Sequence, residues 1–282
     1  MRHLTRAFCP AIVFLLSFGQ VVFATDPEAL RVETDVFADR DDVPIAHSLT
    51  LFSSKVAWDF LDTTPAEKKT SDSESDQPKA FNGEIVLHDP TRERVLLIDP
   101  LRQVKTSIDS IQLERLRVSL AKWARTSDDK LLCWAGGPHF ENGMHESDDA
   151  IELVGPRVQY RIETTDAPSP EIAGQYRQFA DTAILLRALV HPGGIPPFPR
   201  MALNKQLASK AKLPTSVTLE IDSRGSLVPS GLSSMMQRHL CSVHRIHPAL
   251  RADDLQRIAD AEACMALAEE VSLAEYTQAE KK

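Results

Sequence analysis

Cysteine is scarce in this chain, with four in 282 residues. Cys9 lies in a segment expected to be removed, which leaves Cys133, Cys241 and Cys264. An odd number of thiols excludes a fully paired disulfide framework. A Cys241–Cys264 bridge is one option; small buried thiols in an ordinary core are the other. Aromatic residues are also few, with three Trp and three Tyr, which argues against a sugar cleft lined by exposed rings. Catalytic signatures are missing as well. There is no G-x-S-x-G nucleophile elbow, no G-x-x-x-x-G-K-[ST] or G-x-G-x-x-G phosphate loop, and no C-x-x-C or H-E-x-x-H metal pattern. No catalytic residue, metal site or cofactor is assigned from the sequence. Positive charge is in deficit: formal net charge is −8. Such a chain repels phosphates and is a poor partner for nucleic acid or anionic headgroups.

Beyond residue 24 no run is long and apolar enough to span a bilayer, which needs about 20 residues. The N-terminal run is different. Arg2 and Arg6 precede Ala11–Phe18, and Val22-Phe23-Ala24 fits a small-x-small cleavage pattern. Residues 1–24 therefore read as a signal peptide and Thr25 as the mature start. Cys9 precedes the apolar core, so it is not placed for lipid attachment. An uncleaved N-terminal anchor would leave the same domain outside the inner membrane. Removing the leader takes two Arg and no acid, leaving 258 residues and moving the net charge from −8 to −10. The expected location is periplasmic or extracellular, and the mature protein is not expected to be integral to a membrane.

The most legible stretch is Gly83–Ile108, GEIVLHDPTRERVLLIDPLRQVKTSI. Asp89-Pro90 and Asp99-Pro100 punctuate three apolar runs, and Pro cannot sit inside a central strand. The runs read as strands Glu84–His88, Glu93–Ile98 and Gln103–Ile108. In the middle one Val95 and Leu97 share one side and Leu96 and Ile98 the other, so it should be covered on both faces. Upstream, Leu30–Ala38, Ile45–Ser53 and Lys55–Leu61 alternate as strands. Val56, Trp58 and Phe60 share one face; Asp59 lies opposite with Ala57 and Leu61. Residues 62–79 are polar and charged and read as a disordered insertion at a hairpin tip.

Downstream, the spacing of Leu113, Leu116, Leu120 and Trp123 predicts a helix over Ser110–Arg125, capped by Asp109 or Ser110 and laid on the meander. Ala135–Ser147 reads as loop, and Ala150–Val154 with Arg157–Glu163 as a hairpin. A second helix spans Pro168–Val190, capped by Ser169. Ile195–Pro199 reads as a rigid connector, Met201–Ala211 as a short helix, Ser216–Ile221 as a strand and Ser234–Ile246 as a long strand. Asp222–Gly225 reads as a turn, and Leu227–Val228 as the start of a return strand. A third helix is expected over Ala252–Val271 with Asp253 as cap, followed by a frayed polar tail at 272–282. Short connections make the sheet antiparallel. The fold class is α+β: one curved antiparallel sheet covered by three or four helices, in a single domain over 25–271.

Two clusters were weighed for chemistry. His239, His244 and His247 lie close in sequence with Cys241. On a strand, His239 and Cys241 share a face, and His244 pairs more naturally with a neighbour than with a metal. His139 and His145 sit among Glu141, Glu146, Asp148 and Asp149, a solvated acidic loop. Asp59 and Glu84 are a carboxylate pair only if the fold brings them together, within about 5 to 9.5 Å across a cleft.

The order of these pieces is itself informative. An export signal precedes a strand containing Trp58-Asp59-Phe60, then two Asp-Pro strand reversals, a strand running from Lys105 to Ile108, and a helix. In this organisation the chain resembles uncharacterised exported bacterial proteins and, more distantly, the LolA/LolB-like periplasmic lipoprotein-carrier superfamily. The resemblance covers residues 30–163 in strand order; the Pro-rich segment 192–199 and the insertion 62–79 depart from it. It implies an incomplete barrel closed by helices over an apolar cavity. The residues that would line such a cavity here are Val56, Trp58, Phe60, Val95, Leu97, Leu116, Leu120 and Trp123. Two functions follow: a carrier or sensor for an apolar or lipid ligand held between sheet and helix, or a structural or protein-interaction module without a cavity. Sequencing the N-terminus of the exported protein should give Thr25; a start at Met1 would contradict cleavage.

Overall fold

A computed structural model describes residues 29–39, 41–62, 83–190, 194–222 and 239–278. The leader, the 63–79 part of the insertion, residues 223–238 with the Leu227–Val228 return, and residues 279–282 lie outside the described residues.

Among the described residues twelve strands form one unclosed, curved sheet. They are β1 (Leu30–Ala38), β2 (Ala46–Ser53), β3 (Val56–Asp62), β4 (Glu84–Asp89), β5 (Arg94–Asp99), β6 (Val104–Asp109), β7 (Met144–Glu146), β8 (Ala150–Gly155), β9 (Val158–Asp166), β10 (Lys212–Ile221), β11 (His239–His247) and β12 (Glu269–Glu270). Their order is β12-β6-β5-β4-β3-β2-β1-β11-β10-β9-β8-β7. Every pairing is antiparallel except β12 on β6. The six described helices are α1 (Ser110–Arg125), α2 (Lys130–Ala135), α3 (Pro170–Val190), α4 (Phe198–Ser209), α5 (Ala252–Leu267) and α6 (Leu273–Gln278). The fold is α+β, as the alternation and short connections imply.

The Asp-Pro reversals work through the aspartate side chains. Asp89 accepts from Thr91 Oγ1 at 2.6 Å and from the Arg92 backbone N–H at 3.2 Å. Asp99 accepts from the Arg102 N–H at 3.0 Å. Each acid caps its own turn, and Pro pre-sets the backbone that follows. Glu93 and Gln103 then take left-handed conformations, φ 51° and 54°, to enter the next strand.

Register divides the side chains between two faces. One face carries Leu49, Leu51, Trp58, Phe60, Ile85, Leu87, Leu96 and Ile98, which pack under α5 through Ile258, Ala261, Cys264 and Met265. The other carries Leu30, Val32, Phe52 and Ala57 under Ile172, Tyr176 and Phe179 of α3. On the same side Val86, Val95, Leu97 and Ile108 lie under Leu186 of α3 and Tyr276 of α6. The far end of that side is a third apolar block, where Leu153, Tyr160, Ile162 and Val217 pack with Leu203 and Leu207 of α4. The double cover expected for β5 is therefore present, but its covers are α5 on one side and α3 with α6 on the other.

Several expectations are corrected. Helix α1 forms as predicted, with Asp109 as cap: the Gln112 N–H donates to Asp109 Oδ1 at 2.7 Å. It packs on the meander only at its start, where Leu113 meets the cluster of Val95, Leu97 and Ile108. Only Ala121 and Ala124 of α1 are buried, and Trp123 is 52% exposed, because α3 and α6 already occupy that side. Helix α4 starts inside the supposed connector, with Pro199 in its first turn, where a missing N–H costs nothing. The supposed Ala135–Ser147 loop contains strand β7. Helix α5 stops at Leu267; Glu269–Glu270 then pair with β6. Arg251, not Asp253, is the N-cap of α5, and Asp254 in the first turn accepts from the Arg251 N–H at 2.8 Å. The described tail is not frayed: Tyr276 is 4% exposed and its hydroxyl donates to Glu84 Oε1 at 2.8 Å. Cys133, Cys241 and Cys264 are free, and Cys133 is exposed instead of buried. Gly136, in the turn that ends α2, also lies in close approach to α1: a Cβ there would meet Ala124 Cβ at 2.5 Å.

Replacing Tyr276 with Ala should lower stability by about 3 kcal/mol, the usual cost of deleting a buried ring. Urea denaturation measures it; a change below about 0.5 kcal/mol would return α6 to the status of a loose tail.

Candidate functional site

The structure separates the eight residues picked for a cavity. Val56, Trp58 and Phe60 face α5, with Trp58 and Phe60 nearly fully buried and the Arg257 guanidinium 5.6 Å above the Phe60 ring. Val95 and Leu97 lie on the opposite face, filled in by Leu186 and Tyr276. Leu116 and Leu120 are half-buried on α1, and Trp123 is exposed. No single space can be lined by all eight, since the sheet runs between them. Of these residues, Leu116 borders a groove. That groove is open, about 440 Å³, and lies between β6, α1, the end of α3 and the β12–α6 turn. Ile108, Leu113, Leu116, Leu189, Val271 and Leu273 give it apolar walls, with the buried Thr106 among them; the exposed Ser107, Gln112, Glu270 and Ser272 give it a polar rim. Leu189, Val271 and Leu273 were not anticipated, because α6 and β12 were read as tail and helix end.

A second concentration of chemistry sits under α3 and α4, on inward positions of the central strands. Thr34, Thr50, Asp59 and His244 occupy sites where alternation would allow apolar residues, since each shares a face with Val32, Ala57 or Ile246. Thr50 Oγ1 donates to Asp59 Oδ1 at 2.7 Å, and Asp59 is 6% exposed. Burial pushes the Asp59 carboxyl up to about 7, offset by the Thr50 bond and reinforced by Glu84. Asp59 and Glu84 thus do share a face, diagonally placed on β3 and β4. Glu84 Oε1 accepts from the Tyr276 hydroxyl at 2.8 Å.

His244 Nδ1 hydrogen-bonds with Thr34 Oγ1 at 3.0 Å and Nε2 with Ser242 Oγ at 3.1 Å, as its neighbour-bonded reading requires. Burial, with Arg200 nearby, lowers its imidazole to about 3. His239 Nδ1 lies 2.6 Å from the Asp39 carbonyl oxygen instead. His88, facing Thr182 Oγ1 at 3.4 Å, is lowered to about 4 by burial, opposed by Asp89. Among the described residues no group of three His, Cys, Asp or Glu is placed to hold a metal ion. His139 and His145 are exposed.

On α4, Arg200 and Asn204 stand one turn apart. Arg200 Nη1 donates to Asn204 Oδ1, and Asn204 Nδ2 donates to Asp181 Oδ1 of α3 at 2.7 Å. Arg177 Nε lies 3.5 Å from Asp181 Oδ2. Burial raises Asp181 and lowers Arg200. Sequence reasoning missed this group. The usable signal was the spacing of Arg200, Leu203, Asn204 and Leu207, which lays two polar residues along a buried helix stripe.

The outer face of β1 and β11, not covered by α5, carries a charged ladder. Arg245 Nε meets Glu33 Oε2 at 3.0 Å and Nη2 meets Asp35 Oδ2 at 2.7 Å, with His47 Nδ1 2.7 Å from Asp35. Where the ladder meets α5, Arg31 Nε reaches Asp254 at 3.1 Å.

Comparison with known proteins adds little. No family model matches the chain, and no curated protein matches it. Among solved structures, a LolA superfamily protein from Nitrosomonas europaea aligns over 80% of this chain and 88% of its own length, at 8% identity and a TM-score of 0.24. A likeness that slight carries neither family nor ligand across. No described helix is long and apolar enough to cross a membrane.

Asp59 gives a pH signature. In the folded chain it keeps its proton up to about 7, whereas an unfolded aspartate loses it near its ordinary value of 3.8. Its contribution to stability is full below about pH 4 and is lost as pH rises through 7. Asp59→Asn keeps an acceptor for Thr50 and removes the titration. It should stabilise the protein by on the order of 2 kcal/mol at pH 8 and by much less at pH 5. Urea unfolding at the two pH values checks this; an equal effect at both would show that Asp59 titrates normally.

Proposed function

We propose that this chain is a binding protein for an apolar ligand, such as an acyl chain, seated in the groove between β6, α1 and the β12–α6 turn. The observation that carries this reading is the incomplete seating of α1. Its stripe Leu113, Leu116 and Leu120 is half-buried, with Leu113 and Leu116 facing the groove. The groove's volume of about 440 Å³ falls in the range of small-molecule sites, roughly 300–1,000 Å³. Apolar walls supply affinity in proportion to the area removed from water, and a polar rim keeps the mouth wet. Ile108 at the base belongs to the same apolar cluster as Val95 and Leu97, so a ligand there would extend the core of the sheet. Export through the N-terminal leader would place such a protein in the periplasm or outside the cell.

A dansyl-labelled fatty acid should brighten on titration into the purified protein. Leu116→Glu, at a half-exposed position, should weaken that binding at least tenfold without altering the circular dichroism. Protein that carries no lipid on extraction and leaves the probe dark would favour an interaction module without a ligand and sink this reading.

A further inference from the structure

Arg200 is a half-buried cation on α4. It contacts the neutral Asn204 amide, and among the described residues it forms no salt bridge with a carboxylate. It reaches Asp181 only through Asn204, and that carboxylate also faces Arg177. One acid thus answers two guanidiniums. Tyr160 on β9 packs in one cluster with Leu203, a turn along α4 from Arg200, and Tyr176 lies on α3, which packs against α4; both phenols are within electrostatic reach of Arg200. They are 6% and 8% exposed, and among the described residues neither hydroxyl has a hydrogen-bond partner. Neither hydroxyl is sealed in packing. The one fully enclosed side-chain nitrogen or oxygen without a partner among the described residues is Arg94 Nε, on another part of the sheet. Both phenol oxygens therefore keep accessible surface although their rings are buried.

Hydroxyls on buried rings mostly find a protein partner. Two without one among the described residues, near a guanidinium with no direct carboxylate, make a set of donors lacking a protein acceptor. We propose that Arg200, Tyr160 and Tyr176 bind the oxyanionic group, a carboxylate or a phosphate, of a small ligand between β9 and helices α3 and α4. A guanidinium fork suits either group, and two hydroxyl donors can satisfy its remaining lone pairs. His244 does not compete for the anion, because Thr34 and Ser242 engage both its nitrogens. Asp59 lies within reach of Tyr176 and would oppose an anion once ionised. Asn204 is a positioning residue: 2% exposed, it holds Arg200 against α4 and away from direct pairing with Asp181. No residue of this site lines the groove proposed for the apolar ligand, so the two proposals stand or fall separately.

The test is thermal unfolding of the full chain at pH 6, where Asp59 is largely protonated, at fixed ionic strength in chloride. Inorganic phosphate and octanoate are titrated separately. At least one should raise Tm by several degrees with saturation. Phosphate alone would mark a phosphate ester, octanoate alone a carboxylate, and both the shared chemistry. Arg200→Gln should weaken the apparent affinity at least tenfold. Should that variant fold poorly, the double change Tyr160→Phe with Tyr176→Phe, which removes only two oxygens, should do the same. No saturable shift with either anion, or equal shifts in wild type and the double variant, would overturn the proposal.

Discussion

Leu97 and Ile98 are neighbours in β5, point to opposite sides of the sheet, and are 2% and 0% exposed. That pair states the constraint on which the rest of the structure depends. A strand apolar on both faces has to be roofed twice, so the chain must bring helices to both sides of the meander. It does so from far away in sequence. Helix α5 arrives on one face and α3 with α6 on the other, while the nearest helix, α1, is left at the side. The consequences spread outward. Tyr276 is drawn into the core by the need to close the second face, and β12 adds to the sheet edge because α5 must end there. The groove at α1 is what remains when that helix is displaced by better-placed covers.

The same logic explains where polar residues sit. On the α5 side the sheet is apolar under the helix and becomes a ladder of Arg245, Glu33, Asp35 and His47 where the helix stops. On the other side apolar blocks lie at both ends. Between them runs a polar strip of Thr34, Thr50, Asp59 and His244, facing Tyr176 and Arg200. Burying such groups costs free energy unless they are paired, and most are. Asp59 has its Thr50 donor and His244 has two hydroxyl partners. Among the described residues the Tyr160 and Tyr176 hydroxyls have no hydrogen-bond partner, and Arg200 bonds to the neutral Asn204 amide.

Much of the fold was legible in the residues. β1 matches its expected bounds, the meander strands match to within a residue, and the parity of Val56, Trp58 and Phe60 against Asp59 is as read. These succeeded because alternation and Asp-Pro turns are local signals. What was not legible was long-range. The stripe on α1 is real, but a stripe does not name the face that receives it. The Pro-rich segment hid the start of α4 because Pro is excluded from a helix interior and tolerated in its first turn. Tyr276 looked like part of a polar tail because one aromatic among charges gives no periodicity. The candidate cavity failed to form one space for a related reason: residues were chosen for being apolar, and an apolar pattern cannot tell one covered face from two. Arg200 and the two tyrosines were invisible because their significance lies in being brought together by three separate elements.

Native-state hydrogen exchange tests the double cover most directly. If β5 is roofed on both faces, the amides of Leu96, Leu97 and Ile98 should exchange only through global unfolding, with the slowest rates in the chain, while those of edge strand β7 exchange by local opening. Meander amides that exchange as fast as Met144–Glu146 would show that one roof is absent, and the account built on it would fail.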